Sequence, residues 1–424
     1  MKRYGLLFLC VILTFSAAFV YGCAETDAAA RLSKAENASD TKKTENFIEE
    51  TSENAFTFEE KDGAITVTGL KEPNVQQVVI PRKINGLPVK AVSDYAFINR
   101  KDIKTFYVPN SVENIGYGAF SGCSALSDIT LPFTGKNHRT EKGLKDYNFG
   151  YVFGETPYNG AKSTMQFYHK DDFNQVEMAY YYIPSSLKKV KITGVKNTLI
   201  PYAAFYNCNE IDKIVLGSEI TTVGEFAFSG VIGTIEWEDP QIKVIGEHAF
   251  EDFKGEHLTI PDSVTEIKRS AYSACVNVKT FIVPDNVKKA DIYAFSYNYE
   301  LQSVTVGKNL DVLPVETFYF CINLKTVTLP NGLKEIEDGA FDSCKALSAI
   351  EIPASVTRIN ANAFKNCENL KTVNFTDPSN WRYYGIMSGG DYFSAGVISD
   401  GATAAKYLTN TFREYIWEKT PVAV

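Results

Sequence analysis

Histidine is scarce in this chain, with 4 among 424 residues, which thins the pool of general bases and metal ligands. The sequence contains no G-x-S-x-G, H-E-x-x-H, P-loop or G-x-G-x-x-G, so the common hydrolase, metalloprotease and nucleotide-binding signatures are missing. It has no C-x₂-C spacing of the kind that structural zinc requires. Positive charge is in deficit: 43 Lys and Arg face 51 Asp and Glu, a net charge of −8. A partner held through phosphate neutralisation, that is, a nucleic acid, is therefore not expected. The acidic residues are scattered, and no pair of carboxylates stands out as an acid/base couple. His138 and His169 fall in a segment set apart below, and His248 and His257 occupy repeated positions read as surface. These deficits describe a chain with no enzymatic role, no cofactor and no metal. Phe and Tyr, by contrast, are plentiful, and aromatic residues reach 13%. At this length, one ordinary globular core is excluded in favour of several domains or an elongated array.

The first residues, "MKRYGLLFLCVILTFSAAFVYGC", open with Lys2 and Arg3 and continue in an uncharged, mostly apolar run to Val20. That is the layout of a secretory signal peptide over residues 1–22, and the run lies at the short edge for a retained membrane anchor. "VYGC" resembles a bacterial lipobox with Val20 in place of the usual Leu, which makes Cys23 the expected lipidation site and the mature N-terminus. Acyl chains there would hold the protein to a membrane. Residues 23–46 carry a single large apolar side chain, Leu32, and read as a solvated, flexible tether.

From residue 90 the chain has one period. Ala-Phe recurs at Phe97, Phe120, Phe205, Phe228, Phe250, Phe295, Phe341 and Phe364, with Tyr272 and Phe318 filling the same slot. The spacing is 22 or 23 residues except for one gap of 85. A fixed period of this size is a solenoid with one coil per repeat. In "LKTVTLPNGLKEIEDGAFDSC", Val327 and Leu329 alternate with threonines, which is a short half-buried strand. Pro330 ends it, and Leu333, Ile336, Ala340 and Phe341 supply the inward residues of the return path. Strands of successive coils should pair in parallel, so eleven or so coils make a sheet on the order of 50 Å long.

The pattern L-x-x-V-x-L-P…V-x-x-I-x-x-x-A-F-x-x-C resembles the BspA-like, or Treponema-type, leucine-rich repeats of bacterial surface proteins, over roughly residues 47–375. The stretch "SNWRYYG" and the ending "AAKYLTNTFREYIWEK" look like the closing segment of some members. The resemblance implies a β-rich solenoid with its parallel sheet on one face. It also implies exposure on the cell surface and adhesion to host proteins or other cells.

Of 8 cysteines, Cys10 lies in the signal and Cys23 at the lipobox. Cys123, Cys208, Cys275, Cys321, Cys344 and Cys367 each sit three residues after the aromatic of their coil, a slot that elsewhere holds Arg100, Val231, Phe253 or Asn298. An exported protein favours disulfides. Equivalent residues of stacked coils point their Cβ bonds in parallel, however, which is poor bridging geometry. Reduced thiols filling the core are the expectation.

The gap of 85 contains an interruption at about 133–186 with 12 aromatic residues, among them Tyr151 and Tyr158. Such rings either pack the insertion onto the solenoid or form a recognition surface. Residues 376–424 leave the repeat; Leu408, Phe412 and Ile416 recur every four residues, a helix face with Asp400 as N-cap, read as a cap over the open end. The outward strand positions form a lane: Tyr107, Thr130, Lys191, Val215, Glu236, Thr259, Ile282, Thr305, Thr328, Glu351 and Asn374. Together these observations describe an exported, lipid-anchored protein on the surface of a bacterial envelope. It would bind protein or glycan macromolecules through Tyr107, Lys191, Glu236, Thr259, Thr305, Thr328 and Glu351 of the lane, or Tyr151 and Tyr158 of the insertion. A carbohydrate-binding or structural envelope module is the alternative, and a hydrolase site in the insertion the remote one.

Overall fold

The computed structural model describes residues 49–138, 144–170, 176–194, 198–385, 393–394 and 396–420. The signal, the tether and Cys23 lie outside these residues.

Residues 49–424 form one unit. It is a β-solenoid of about 13 turns. The outward lane rests on short parallel strands joined in register. Tyr107 faces Thr130, Thr130 faces Lys191, Lys191 faces Val215 and Val215 faces Glu236. Further along, Ile282, Thr305 and Thr328 are in line, as are Glu351 and Asn374. Thr259 lies outside any strand. A second line of parallel pairs, two residues each, runs along the return path through Val223, Ile245, Ile267 and Ala290.

The corner between these strands and the next coil is where the repeated aromatic acts. Phe205, Phe228, Phe250, Tyr272, Phe295, Phe318, Phe341 and Phe364 stack with centroids 5.2–5.7 Å apart and nearly parallel planes. All are essentially buried. Offset stacks at this distance add to the area that each ring buries. The backbone beneath them alternates its hydrogen bonds. In the coil of Phe341, the N–H groups of Gly339, Phe341 and Ser343 donate to Ala361, Ala363 and Lys365 of the next coil. The N–H groups of Ala340, Asp342 and Cys344 donate three residues back within their own coil. This alternation needs left-handed residues two places before and two places after the aromatic, and the ten coils with the regularly spaced aromatic have them. No Val, Ile or Thr occupies either slot, as β-branched side chains tolerate this backbone worst.

The segment expected to interrupt the array is only partly outside it. Phe153 lies 6.2 Å from Phe120, and Phe149 lies 4.9 Å from Phe205, so the ladder crosses the gap on two rings instead of one. Phe120 donates to Val152 O and Phe149 to Ala204 O, as coil-to-coil bonds do elsewhere. What projects from the coil is a hairpin of Ala161–Lys170 and Val176–Pro184.

Both ends are closed by antiparallel strands. Phe56–Lys61 and Ala64–Leu70 open the array, and the second runs parallel to Leu87–Val92 of the first coil. At the other end Tyr415–Lys419 pairs antiparallel with Arg358–Ile359 and with Trp381–Gly385. Covering a sheet edge in this way prevents further pairing. Asp400 does cap a helix, accepting from Thr403 N at 3.1 Å. That helix is shorter than its period suggests: Gly401–Lys406 is α-helical, Tyr407–Thr411 widens into a π turn, and the chain then reverses. Leu408, Phe412 and Ile416 therefore do not share a helix face. Ile416 is in the closing strand, whose Trp417 is buried.

Replacing Phe341 with Ala should lower stability by about 3–5 kcal/mol, since the ring fills a site between two neighbours that cannot collapse. Thr328→Ala, on the exposed lane, should change it by less than about 0.5 kcal/mol. Chemical denaturation followed by circular dichroism measures both, and equal shifts would contradict the stacked-ring assignment.

Candidate functional site

Three groups of residues bear on function: the line of cysteines, the outward lane and the hairpin.

The six cysteines of the array are unpaired and buried. They do more than fill space. The thiols of Cys123, Cys275, Cys321, Cys344 and Cys367 each donate to the carbonyl of the aromatic residue one coil back, at 3.0–3.4 Å. Asn298, in the same slot, donates to Tyr272 O at 3.0 Å and accepts from Cys275 N. Arg100 reaches Glu72 O at 2.9 Å and pairs with Asp102, holding that carboxyl down to about 2. The slot thus favours a donor aimed at the previous coil. That preference is invisible in a list of side-chain sizes, although Asn and Arg among its occupants hint at it. Burial pushes the thiols of Cys123, Cys321 and Cys367 up from 9.0 to about 12, and those of Cys208, Cys275 and Cys344 are also raised. A thiol kept protonated by burial is a poor nucleophile and a poor ligand. Among the described residues, no group of three or more His, Cys, Asp or Glu is placed to hold a metal ion.

The first part of the lane is charged and self-paired. Lys191 meets Glu238 at 2.7 Å across the intervening strand, on which Val215 keeps the register of the lane but is buried and not exposed as expected. Glu236 pairs with Lys213 at 2.7 Å. Tyr107 is half-buried. The middle of the lane is hydroxyl-rich: Thr305 and Thr328 are exposed beside Ile282, whose side chain is 65% accessible. Glu351 accepts from Thr376 at 3.2 Å.

Tyr151 and Tyr158 do not face outward. Tyr151 is buried against Tyr117, and the Tyr158 hydroxyl is buried without a hydrogen-bond partner among the described residues. Burial raises both phenols. Among the described residues of the segment, the aromatic side chain that stands exposed, Tyr180, lies on the hairpin. Its second strand alternates: Ala179, Tyr181 and Ile183 point in, while Met178, Tyr180 and Tyr182 point out. The hairpin is pinned at its base. Buried Gln166 accepts from Gly150 N at 2.7 Å and donates to Ala204 O at 2.9 Å. The Tyr181 hydroxyl donates to Lys145 O, and its ring lies so close to Gly150 that a Cβ there would come within 2.3 Å. Beside it, Lys145, Glu155, Tyr168, Met178, Tyr180 and Tyr182 line an open concavity of about 240 Å³. That is small for a ligand pocket, which typically encloses about 300–1,000 Å³, and suits one or two inserted side chains. The exposed His138 and His257, and His248 stacked on Phe226, are in none of these groups; the side chain of His169 lies outside the described residues.

Parallel coils, a buried aromatic ladder and open outer faces define a leucine-rich-repeat scaffold. Residues 90–140, 198–321 and 291–386 match the BspA type leucine rich repeat region in 6 copies, and the chain belongs to this family. Among solved structures it is similar to a leucine-rich repeat protein from Bacteroides ovatus, with 22% identity over 77% of this chain and 88% of that one, at a TM-score of 0.40. It is also similar to a leucine rich cell surface protein from Faecalibacterium prausnitzii, with 21% identity over 78% and 95% and a TM-score of 0.31. A T. pallidum leucine rich repeat protein shares 19% identity over 76% and 91%, with a TM-score of 0.21. Comparison with curated proteins finds no match.

The raised thiols imply a pH dependence. The folded state holds protons that the unfolded chain releases above its ordinary thiol pKa, so this contribution is complete below pH 9 and declines as pH rises toward about 12. Denaturation midpoints should fall over that window. Six thiols of residues 49–424 should resist a thiol reagent in the native protein and react in denaturant; fewer than six would mean a disulfide.

Proposed function

We propose that this protein is a non-enzymatic interaction scaffold of the cell surface that binds another macromolecule, most directly a protein, through the hairpin concavity. The observation that carries this reading is that the aromatic ladder crosses the gap without needing the hairpin, yet Met178 and Tyr180 stand exposed on a base pinned by Gln166 and Tyr181. A pinned base reduces the ordering cost of binding, and Tyr and Met are residues that interfaces favour. The hydroxyl-rich part of the lane, with Ile282 exposed, supports a second contact for an extended partner. The charged part is occupied by its own ion pairs, which are worth little in water but shield the face. A glycan partner is the alternative. Export by residues 1–22, the tether 23–46, the cap 376–424 and a lipid on Cys23 belong to the same proposal, resting on the composition of those segments.

Binding of the purified protein to an array of matrix proteins and glycans tests this. Substituting Met178→Ser and Tyr180→Ser together should weaken binding to the captured partner by about tenfold, the loss expected for interface anchors, and leave the melting temperature unchanged. Unchanged binding would remove the hairpin from the function. For the anchor, palmitate should label the parent and not Cys23→Ala when each is expressed in a bacterium that processes lipoproteins.

A further inference from the structure

The left-handed slot two places after the aromatic occurs in ten coils, from Asn99 to Asn366. Eight hold Asn, Gly, Asp, Ala or Ser, the small or short polar residues that this backbone tolerates best. Two consecutive coils depart from this with Tyr297 at φ 58 and Phe320 at φ 58. A bulky side chain in this conformation is strained, and burying the ring would offset the strain. Here it is not offset in that way: Tyr297 is 36% exposed and Phe320 half-buried, while the ladder beneath is filled by Phe295 and Phe318. Strain that the core does not require points to a role outside it.

The two rings also collect others. Tyr297 lies 5.3 Å from Tyr319, 5.9 Å from Phe320 and 6.5 Å from Tyr299, which is 40% exposed; Tyr319 lies 4.7 Å from Phe320. The backbone under them is fixed, with Tyr297 N donating to Tyr319 O at 2.7 Å, Phe320 N to Asp342 O at 3.0 Å and Asn323 Nδ2 to Tyr299 O at 2.8 Å. Tyr297 is tilted 30° to Phe320 but meets Tyr319 at 89° and Tyr299 at 74°, so the four rings share no common plane. They offer no single flat platform, which disfavours a sugar ring laid on a coplanar surface. At their edge is Glu316, in the same corner as Tyr319, whose N–H donates to Glu316 O at 3.2 Å; burial, and after it the charge of Glu316, raises the phenol of Tyr297. Neither Glu316 nor Glu300, next to Tyr299, forms an ion pair among the described residues. Ring faces beside an unneutralised carboxylate attract a cation, and a guanidinium can stack on a ring while pairing with the acid.

We propose that Tyr297, Tyr299, Tyr319, Phe320 and Glu316 form a second docking surface, separate from the hairpin, that takes an arginine-bearing segment of another protein.

Isothermal titration of the full chain at low ionic strength tests this with a capped peptide of four Gly-Arg repeats, against the same peptide with Gln for Arg. The arginine peptide should bind and the glutamine peptide should not. Substituting Tyr297→Asn and Phe320→Asn together should weaken binding by about tenfold, within the range that cation–π contacts supply. The same variant should melt at or above the parent's temperature, because Asn is the native residue of this slot in three other coils. Glu316→Gln should weaken binding several-fold. The proposal fails if the parent does not bind the arginine peptide, if the glutamine peptide or a neutral hexasaccharide binds equally, or if the double variant binds like the parent. A double variant that melts well below the parent would show that the rings serve the fold, and would also overturn it.

Discussion

The contact between one coil and the next is the constraint on which the whole array depends. A single coil of 22 or 23 residues has no inside: its aromatic, its strand side chains and half of its corner N–H groups find partners only on the neighbouring coil. The regular coils therefore repeat the same corner, with ring stacked on ring and left-handed residues on either side to aim alternate N–H groups along the axis. The thiol donors extend the same logic, since each caps a carbonyl belonging to the coil before it. Stability in such a stack is a sum of neighbour terms, and a poor coil is tolerated if the contacts on both sides hold.

That tolerance explains how the chain carries a long excursion. Between Phe120 and Phe205 the strand side of the stack closes directly, with Asp128–Leu131 beside Lys189–Ile192. The corner side is bridged by Phe149 and Phe153. The extra residues then leave as a hairpin whose inner face is consumed by Tyr181, Gln166 and Ile183 and whose outer face exposes Met178 and Tyr180. An array that needs only its rings and its corner bonds leaves its outer surface open to variation, and the two surfaces proposed for binding both lie at such places. One is an added hairpin. The other is a pair of corners where small residues give way to Tyr297 and Phe320.

Much of this was legible in the sequence. The period, the parallel strands and the ring ladder follow from the recurrence of Ala-Phe and the alternation around Val327, because a fixed repeat admits only a stacked solution. The Asp400 cap was legible too. Three things were not. Phe149 and Phe153 sit outside the regular spacing, so nothing marked them as ladder members. The run Leu408, Phe412 and Ile416 has the period of a helix, yet the open sheet edge at Arg358–Ile359 draws Tyr415–Lys419 into a strand, and tertiary pairing overrides the local pattern. Tyr151 and Tyr158 were as aromatic as Tyr180, and only the fold separates rings that pack from rings that face water.

By itself the sequence determined that the chain is a solenoid, where each coil begins, and which side chain of each coil points inward. Periodicity encodes these because the same local contact is made again at every step. The tertiary structure alone decided which surface side chains are free: whether Lys191 is spent on Glu238, whether Val215 is covered, and whether Tyr297 and Tyr319 meet. Those are relations between coils at particular positions, and a repeat by its nature does not distinguish one position from the next.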